Sequence, residues 1–304
     1  MTVLVTGSRG TIGSTLVSLL RAAGTPVRAA SAAPEKLDLP PDVETVRLDL
    51  DDPATFPAAL AGARQVFLYA NPAHIDAFLA DAKAAGVEHI VLLSSSSVLY
   101  AGAEDNPIAR HHLAVEQALK ASDIDATLLR PGAFAGNAAG WAWSIKSTGT
   151  VALPYPGTQA SPIHEADVAD AAYAVLAEPR LRGAAYHLTG PESLTATEQI
   201  AALAAATGRE IAVETVSPEA WKESMAAYMD AQIADALLAY FASYDGRPDH
   251  VTRGVEELTA HPSRTFAAWA AENAESFRPS PSRTPPRPVQ IRGSGPASNG
   301  ILAS

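Results

Sequence analysis

The chain has 304 residues, of which 47% are hydrophobic and 18% charged, and a formal net charge of −11 at neutral pH. This length and apolar content are enough for a large α/β domain with a smaller lobe, and the acidic balance argues against nucleic acid or an anionic membrane as a partner. The absence of cysteine excludes disulfides, thiolate nucleophiles and cysteine-ligated metals. No export signal or bilayer-spanning apolar stretch is evident, so we expect a cytoplasmic protein.

Apolar, β-branched runs alternate with Ala- and Leu-rich helical patterns through the first half of the chain. The patterns predict strands at 2–6, 27–30, 44–48, 65–70, 89–93 and 126–130, and helices at 12–23, 74–85 and 109–121. Parallel neighbouring strands need crossover connections, so this alternation predicts a Rossmann-type α/β fold, a doubly wound parallel sheet with helices on both faces.

After residue 130 the alternation becomes less regular. Residues 136–157 are rich in Gly, Trp and Pro, which predicts loops over a pocket. Helices are expected at 167–177 and at 195–207, the second beginning at a T-x-T-E capping pattern, with strands at 185–189 and 211–216. His164 beside Asp167 has no third ligand in its neighbourhood, so it predicts the entry to a helix, and we expect no metal site.

These elements suggest a division into a core, a smaller C-terminal α/β substrate lobe and a tail. We assign 1–131 to the core, with 166–182 packing back on it, and 132–165 and 183–277 to the lobe. Residues 278–304 are crowded with Pro, Ser and Gly and carry no acid. Such a composition buries too little apolar surface to fold, which predicts a disordered tail.

Three glycines stand three residues apart between the first strand and the first helix, in V-T-G-S-R-G-T-I-G-S. Such glycines permit a tight turn, a close approach of backbone to a diphosphate, and packing of the helix on the strand. The position within a βαβ unit favours a dinucleotide site over an ordinary tight turn. We therefore expect the core to bind NAD(P), with contacts from Gly7, Ser8, Arg9, Gly10, Thr11, Ile12 and Gly13.

The end of the second strand decides which dinucleotide is preferred. Ala30, Ser31 and Ala32 stand where an NAD site would place an acid for the ribose hydroxyls. Arg9 lies in the glycine turn, and a guanidinium can hold the additional phosphate of NADP through two hydrogen bonds. Arg28 either assists it or points outward as a solvated strand residue. The sequence favours NADP, with a contact from Ser31, and leaves NAD open.

Several further stretches resemble one family. The glycine turn, L-D-L at 48–50, L-L-S-S-S-S at 92–97, the stretch 116–132 and S-P-I-H-E-A-D-V-A-D at 161–170 resemble the atypical short-chain dehydrogenases/reductases, above all the NmrA-like branch. That branch includes NAD(P)H:quinone oxidoreductases, isoflavone-reductase-like enzymes and redox-sensing regulators. The resemblance implies that the loops after the third to sixth strands contact the cofactor, through Asp49, Leu50, Ala70, Asn71, Ser94 and Pro131.

One departure from the family bears on the chemistry. Members that reduce ketones by general acid catalysis carry Tyr-x-x-x-Lys in the helix after the serine-rich strand, and the matching positions here are Ile108 and His112. Ser96 matches the family serine but is a poor acid. His112 is our first candidate for a proton donor and Tyr100 our second. A structural or solvated histidine, and a tyrosine packed on the sheet edge, are the open alternatives.

The missing pair favours a substrate that needs no strong acid. Hydride transfer to a quinone or conjugated enone spreads the resulting charge, whereas a simple ketone yields an alkoxide. The residues Phe134, Trp141, Trp143 and Tyr155 suit stacking on an aromatic substrate, or else join the lobe to the sheet. We predict an NAD(P)H-dependent reductase of small quinone-like or conjugated carbonyl substrates, a monomer or homodimer. The alternative is a non-catalytic NADP sensor that binds a protein partner.

Overall fold

The computed structural model describes residues 1–278, and its first half consists of strands that alternate with helices. The elements in chain order are β1 (Thr2–Val5), α1 (Thr11–Ala22), β2 (Val27–Ser31), β3 (Glu44–Arg47), α2 (Phe56–Leu60), β4 (Ala63–Tyr69), α3 (Ile75–Ala85), β5 (His89–Leu93), α4 (Ala109–Ala121) and β6 (Asp125–Pro131). Every strand and helix predicted for this half is present, with ends that differ by no more than two residues.

The second half contributes shorter strands and further helices. They are α5 (Ala142–Thr148), β7 (Thr150–Leu153), β8 (Gln159–Ala160), α6 (Glu165–Ala177), β9 (Ala185–Leu188), β10 (Leu194–Thr195), α7 (Ala196–Thr207), β11 (Ala212–Thr215), α8 (Pro218–Met225), α9 (Ala231–Tyr244), α10 (Gly254–Thr259) and α11 (Phe266–Glu272). The predicted capping box is present at the start of α7, where Thr195 and Glu198 exchange hydrogen bonds.

Seven strands form one parallel sheet in the order β3-β2-β1-β4-β5-β6-β9. The chain winds outward from β1 in both directions, so the strand order reverses between β1 and β4. In open sheets of this kind the crevice outside the carboxyl ends of the strands, at that reversal, is where ligands bind. The predicted Rossmann-type doubly wound fold is confirmed.

Helices cover both faces of the sheet. Helices α1, α6 and α10 pack on one face, and α2, α3 and α4 pack on the other. Successive strand residues point to opposite faces, so Val3 and Val5 lie under α1 whereas Leu4 faces the other layer. Because both faces are buried, the strands read as continuous apolar runs.

The predicted loops at 136–157 are wrong. Residues Ala135–Trp141 form a 3-10 helix, which α5 and β7 follow directly. Ile145, Val151 and Leu153 are buried in a third apolar cluster together with α7 and α11. Burial in this cluster outweighs the poor intrinsic propensity of the Gly- and Trp-rich segment, and Gly149, at φ +71°, serves to end α5.

The third cluster, where β7 pairs with β11, lies within the segments that we predicted to form the smaller lobe. Two segments that we grouped with the lobe lie elsewhere: β9 completes the main sheet beside β6, and α10 packs against α6. The division into core and lobe otherwise stays a prediction. The predicted tail lies outside the described residues apart from Arg278. Among residues 1–278, no helix is both long and apolar enough to cross a membrane.

Candidate functional site

The glycine turn joins β1 to α1 at the carboxyl edge of the sheet. Gly7 has φ +62°, in the left-handed region that favours glycine. A Cβ placed on Gly13 would lie 2.4 Å from the Gly7 carbonyl oxygen, so the first turn of α1 packs directly on the backbone of the loop. Only glycine permits this contact.

The start of α1 supplies donors for an anion. Its N-cap residue, Gly10, has no side chain to accept hydrogen bonds from the first turn, and that turn contains no acid. The free N–H groups and the positive end of the helix dipole therefore face the crevice. This donor set fits the diphosphate of a dinucleotide.

The side chains of Ser8 and Arg9, both predicted to contact the cofactor, differ in whether they are free to bind a ligand. The Ser8 hydroxyl donates to the Val5 carbonyl at 2.7 Å and accepts from the Ala30 N–H at 3.2 Å, so it joins β1 to β2 and is not free for a ligand. Arg9 is exposed at the mouth of the turn. Ser31 ends β2 beside the turn, which leaves Arg9 and Ser31 as candidates for the ribose phosphate.

Arg28 is neither a phosphate ligand nor a solvated residue. Its guanidinium pairs with Glu44 at 2.6 Å and donates to the carbonyls of Ala59 and Ala61 at 2.8 and 2.7 Å. It stands three residues before the carboxyl end of β2, and these bonds hold it to β3 and to the segment before β4.

The other predicted cofactor residues follow successive strands along the same edge, namely Asp49 and Leu50 after β3, Ala70 and Asn71 after β4, Ser94 after β5, and Pro131 at the end of β6. The Asn71 amide donates to the Asp51 carboxylate at 3.0 Å, which ties two of these loops together. Leu50 and Ala70 also pack against the apolar cluster beneath them. The fold thus brings the predicted residues to one edge.

A buried ion pair stands behind this edge. Glu116 of α4 accepts two hydrogen bonds from the Arg130 guanidinium, at 2.9 and 2.5 Å, and one from the Ser94 hydroxyl at 2.5 Å. The Ser94 side chain is therefore turned into the protein. The network joins α4 to the carboxyl ends of β5 and β6, and so fixes the start of both following loops.

Ser96 and Tyr100, two of the predicted catalytic residues, lie near each other after β5. Ser96 is buried, and its hydroxyl oxygen lies 4.0 Å from where a Cβ on Gly132 would stand, at the end of β6. Tyr100 is 38% exposed, and its phenol lies near Ser96 and Tyr244. Partial burial, and then the interaction with Tyr244, raise the pKa of Tyr100, so its phenol remains protonated at neutral pH.

His112 is half-buried on α4, whereas its neighbour His111 faces solvent. Among residues 1–278, the His112 Nδ1 atom has no hydrogen-bond partner. Desolvation lowers the pKa of His112, with Glu116 acting in the opposite direction. The ring is thus neutral at neutral pH, which makes it a weaker proton donor than its sequence position suggested.

The four aromatic residues predicted to contact substrate are dispersed. Trp143 is 76% exposed on α5, and Trp141 packs on the apolar cluster of the lobe. Phe134 packs on the cluster beneath the main sheet, and Tyr155 is half-buried beyond β7. Of the two alternatives, this favours a role in joining the lobe to the sheet for Trp141 and Phe134.

A different aromatic group lies beside Tyr100. The ring of Tyr244, on α9, lies 6.3 Å from the ring of Tyr100, and the ring of Tyr240, on the same helix, lies 5.0 Å from that of Tyr244. Asp249 follows α9, and its carboxylate accepts the Ser161 N–H at 2.8 Å, which anchors the segment against the lobe. The sequence patterns did not single out these residues. The only available signal was the Y-F-x-x-Y spacing in an otherwise alanine-rich helix.

The cluster of potential metal ligands outside this edge is an ion-pair network. Asp167, Asp170 and His261 present ligand atoms close together, but the Arg264 guanidinium donates to both carboxylates. The network joins α6 to the segment before α11. His164 caps α6, its Nδ1 accepting the N–H of Ala166 at 3.1 Å, so the predicted helix-entry role is confirmed.

Known proteins resemble the chain over most of its length. The profile of a family described as NAD(P)H-binding matches residues 7–179. The (4-alkanoyl-5-oxo-2,5-dihydrofuran-3-yl)methyl phosphate reductase of Streptomyces griseus is 36% identical, with 91% of this chain and 99% of that protein covered. An NAD(P)H azoreductase of Xenophilus azovorans is 34% identical, over 90% and 99%.

Solved structures share the fold. A crystal structure of an NADPH-dependent quinone oxidoreductase from Escherichia coli matches with a TM-score of 0.74 at 25% identity, covering 89% of this chain and 98% of that one. The structure of NmrA, a negative transcriptional regulator, matches with a TM-score of 0.70 at 19% identity, over 89% and 94%. The chain therefore belongs to the NAD(P)H-binding family, in the NmrA-like branch of the atypical short-chain dehydrogenases/reductases.

Proposed function

We propose that this NAD(P)H-dependent oxidoreductase reduces a small conjugated acceptor, a quinone or an α,β-unsaturated carbonyl compound. The observation that carries the proposal is the pair of neutral hydroxyls, that of Ser96 beside Gly132 at the carboxyl edge and that of Tyr100 near Ser96. A phenol whose pKa is raised donates a hydrogen bond but gives up its proton reluctantly. Such a donor suits an acceptor whose charge is delocalised after reduction, and serves an alkoxide poorly.

When bound, the nicotinamide supplies the hydride. The residues of the chain hold the reactants and stabilise charge. The N–H groups of the glycine turn and the start of α1 would bind the diphosphate. Ser96 and Tyr100 would donate to the acceptor oxygen, and water at the exposed side of Tyr100 completes protonation. Tyr240 and Tyr244 would form the aromatic wall, so that positioning lowers most of the barrier.

The names of the relatives support this acceptor class. The Streptomyces griseus reductase is named for a dihydrofuranone whose ring double bond is conjugated with a carbonyl, and the other two enzymes for azo and quinone acceptors. Each of these acceptors contains a conjugated multiple bond. None of the three names refers to an isolated ketone or alcohol.

We also propose that NADPH is the preferred cofactor, held at its ribose phosphate by Arg9 and Ser31. The exposed guanidinium of Arg9 and the absence of an acid from the end of β2 support this preference. An Arg9→Gln variant should raise the Kd for NADPH about tenfold or more and leave the Kd for NADH unchanged. Equal Kd values for NADPH in the two proteins would contradict this assignment.

The acceptor class is tested by following NADPH absorbance with a panel of quinones, unsaturated lactones and saturated ketones. We expect turnover with the first two groups only, and about a tenfold lower kcat/KM in Tyr100→Phe. Tyr186→Phe is the matched control, because its hydroxyl donates to the Leu181 carbonyl away from the site. Turnover restricted to saturated ketones would contradict the proposal. Tight NADPH binding without turnover would instead support the sensor role.

A further inference from the structure

The side chain of Tyr69, at the end of β4, lies directly against the glycine turn. A Cβ on Gly7 would come within 2.6 Å of the ring, at Cε2, so the ring fills the space beside that glycine. A Cβ on Gly10 would lie 3.5 Å from the Tyr69 hydroxyl oxygen. The absence of side chains at Gly7 and Gly10 therefore admits this phenol as well as a ligand.

The Tyr69 hydroxyl faces the first turn of α1, beside Gly10 and Gly13. Burial raises the pKa of Tyr69, and the Gly13 N–H acts in the opposite direction with a smaller effect, so the phenol keeps its proton. Among residues 1–278, the Tyr69 hydroxyl has no hydrogen-bond partner in the protein, since the bond that Tyr69 donates comes from its backbone N–H. A protonated donor thus lies at the positive end of a helix.

The ring itself is held firmly. The backbone N–H of Tyr69 donates to the Thr6 hydroxyl at 2.9 Å. The ring packs edge-on against the ring of Phe67, with the two centroids 5.8 Å apart. Thr6 directly follows β1 and Phe67 lies in β4, the two strands that flank the crevice. The hydroxyl is therefore positioned in advance, and using it costs little conformational entropy.

We propose that Tyr69 is a cofactor-positioning residue whose hydroxyl, at the start of α1, donates a hydrogen bond to the diphosphate. The proposal rests on NAD(P)H binding at the glycine turn. A donor of this kind adds a neutral contact to the backbone N–H groups, and a hydrogen bond to a charged acceptor is among the stronger kinds in proteins. The diphosphate, rather than either base, is the part of the dinucleotide that it recognises.

Tyr69→Phe tests the proposal, because it removes the hydroxyl and keeps the ring against Gly7. Calorimetry with NADPH and with 2′-phospho-ADP-ribose, which keeps the diphosphate but lacks nicotinamide, should show Kd values raised about tenfold or more. The Kd for 2′-AMP, which lacks the diphosphate, should not change. Tyr186→Phe, which removes a tyrosine hydroxyl bonded to Leu181, should leave all three Kd values as in the wild type.

Three results would overturn the inference. Unchanged Kd values in Tyr69→Phe would mean that the hydroxyl serves packing alone. Tighter binding would mean that it occupies an N–H that the diphosphate needs. An equal loss for 2′-AMP would indicate damage to the turn. Failure of the proposed reductase function is distinguishable, since it appears as missing turnover in a wild-type protein that still binds the diphosphate ligands.

Discussion

The ion pair between Glu116 and Arg130 gives the sharpest stability prediction. Glu116 is buried, and its carboxylate accepts three hydrogen bonds, two from Arg130 and one from Ser94. Glu116→Gln keeps the size of the side chain but removes its charge and replaces one acceptor oxygen with a donor. Breaking a buried pair from one side costs about 3–5 kcal/mol. The Arg130 side chain is 21% exposed, so we expect about 3 kcal/mol.

Denaturant unfolding measures this loss as a lower midpoint concentration, while the slope of the unfolding free energy against denaturant concentration stays constant. Replacing both partners with methionine should cost less than the sum of the single changes, because no buried charge is then left unpaired. Asp42→Asn is the matched control. It breaks a bidentate pair with Arg21 in which both side chains are about half exposed, and we expect no resolvable change in the midpoint.

A loss below about 1 kcal/mol for Glu116→Gln would refute this reasoning, because it would mean that the pair is solvated and does not fix the edge of the sheet. An equal loss in Asp42→Asn would contradict it in another way, since burial would then make no difference.

Three further predictions concern other parts of the chain. Burial, and then the nearby Arg182, lower the pKa of His89 to about 4, so the unfolded chain binds the proton first as pH falls. The free energy of unfolding should therefore decrease by about 3 kcal/mol in total between pH 6.5 and 4. Denaturant titrations at several pH values should show a smaller decrease in His89→Gln. An equal decrease in the variant and the wild type would contradict this. Gly13→Ala places its Cβ against the turn, so calorimetry should detect no NADPH binding; retained affinity would contradict the tight packing. Arg264→Gln leaves the buried Asp167 without its charged partner and should lower the free energy of unfolding by about 3 kcal/mol, whereas an unchanged denaturation midpoint would mean that the carboxylate is satisfied without it.

The sheet could be predicted from sequence because its strands are buried on both faces. A run such as His89–Leu93 is apolar at nearly every position and is bounded by loop residues, so its period and ends are clear. Helix α4 was likewise predicted with its observed bounds. The prediction of loops at 136–157 failed because Ile145 and Val151 are buried by α7 and α11, which come much later in the chain. The local composition of a segment does not show which distant elements will bury it.

The sequence predicted which strand ends form the site, but it did not predict where the side chains at those ends point. The glycine turn and the loops after β3 to β6 converge because parallel strands share one carboxyl edge. The directions of Ser8 and Ser94 depend on distant partners, Ala30 for one and Glu116 for the other. Sequence patterns do not show those hydrogen bonds.

Aromatic residues near the site were the least predictable feature. Tyr69 reads as an ordinary strand residue, and only the fold places its ring on the turn. Tyr240 and Tyr244 reach the neighbourhood of Tyr100 from a helix more than a hundred residues later. The aromatic segment around Trp143 was the more conspicuous signal in the sequence, yet that side chain faces solvent.

The central claim is that hydride passes from NADPH to a conjugated acceptor, and an isotope measurement tests it most directly. The purified protein would be given an α,β-unsaturated lactone and NADPH that carries deuterium at its hydride-donating carbon. We expect mass spectrometry and NMR to place the deuterium in the saturated product, on the carbon β to the carbonyl. Deuterium on the carbonyl carbon of a reduced alcohol, or a product without deuterium, would contradict the account.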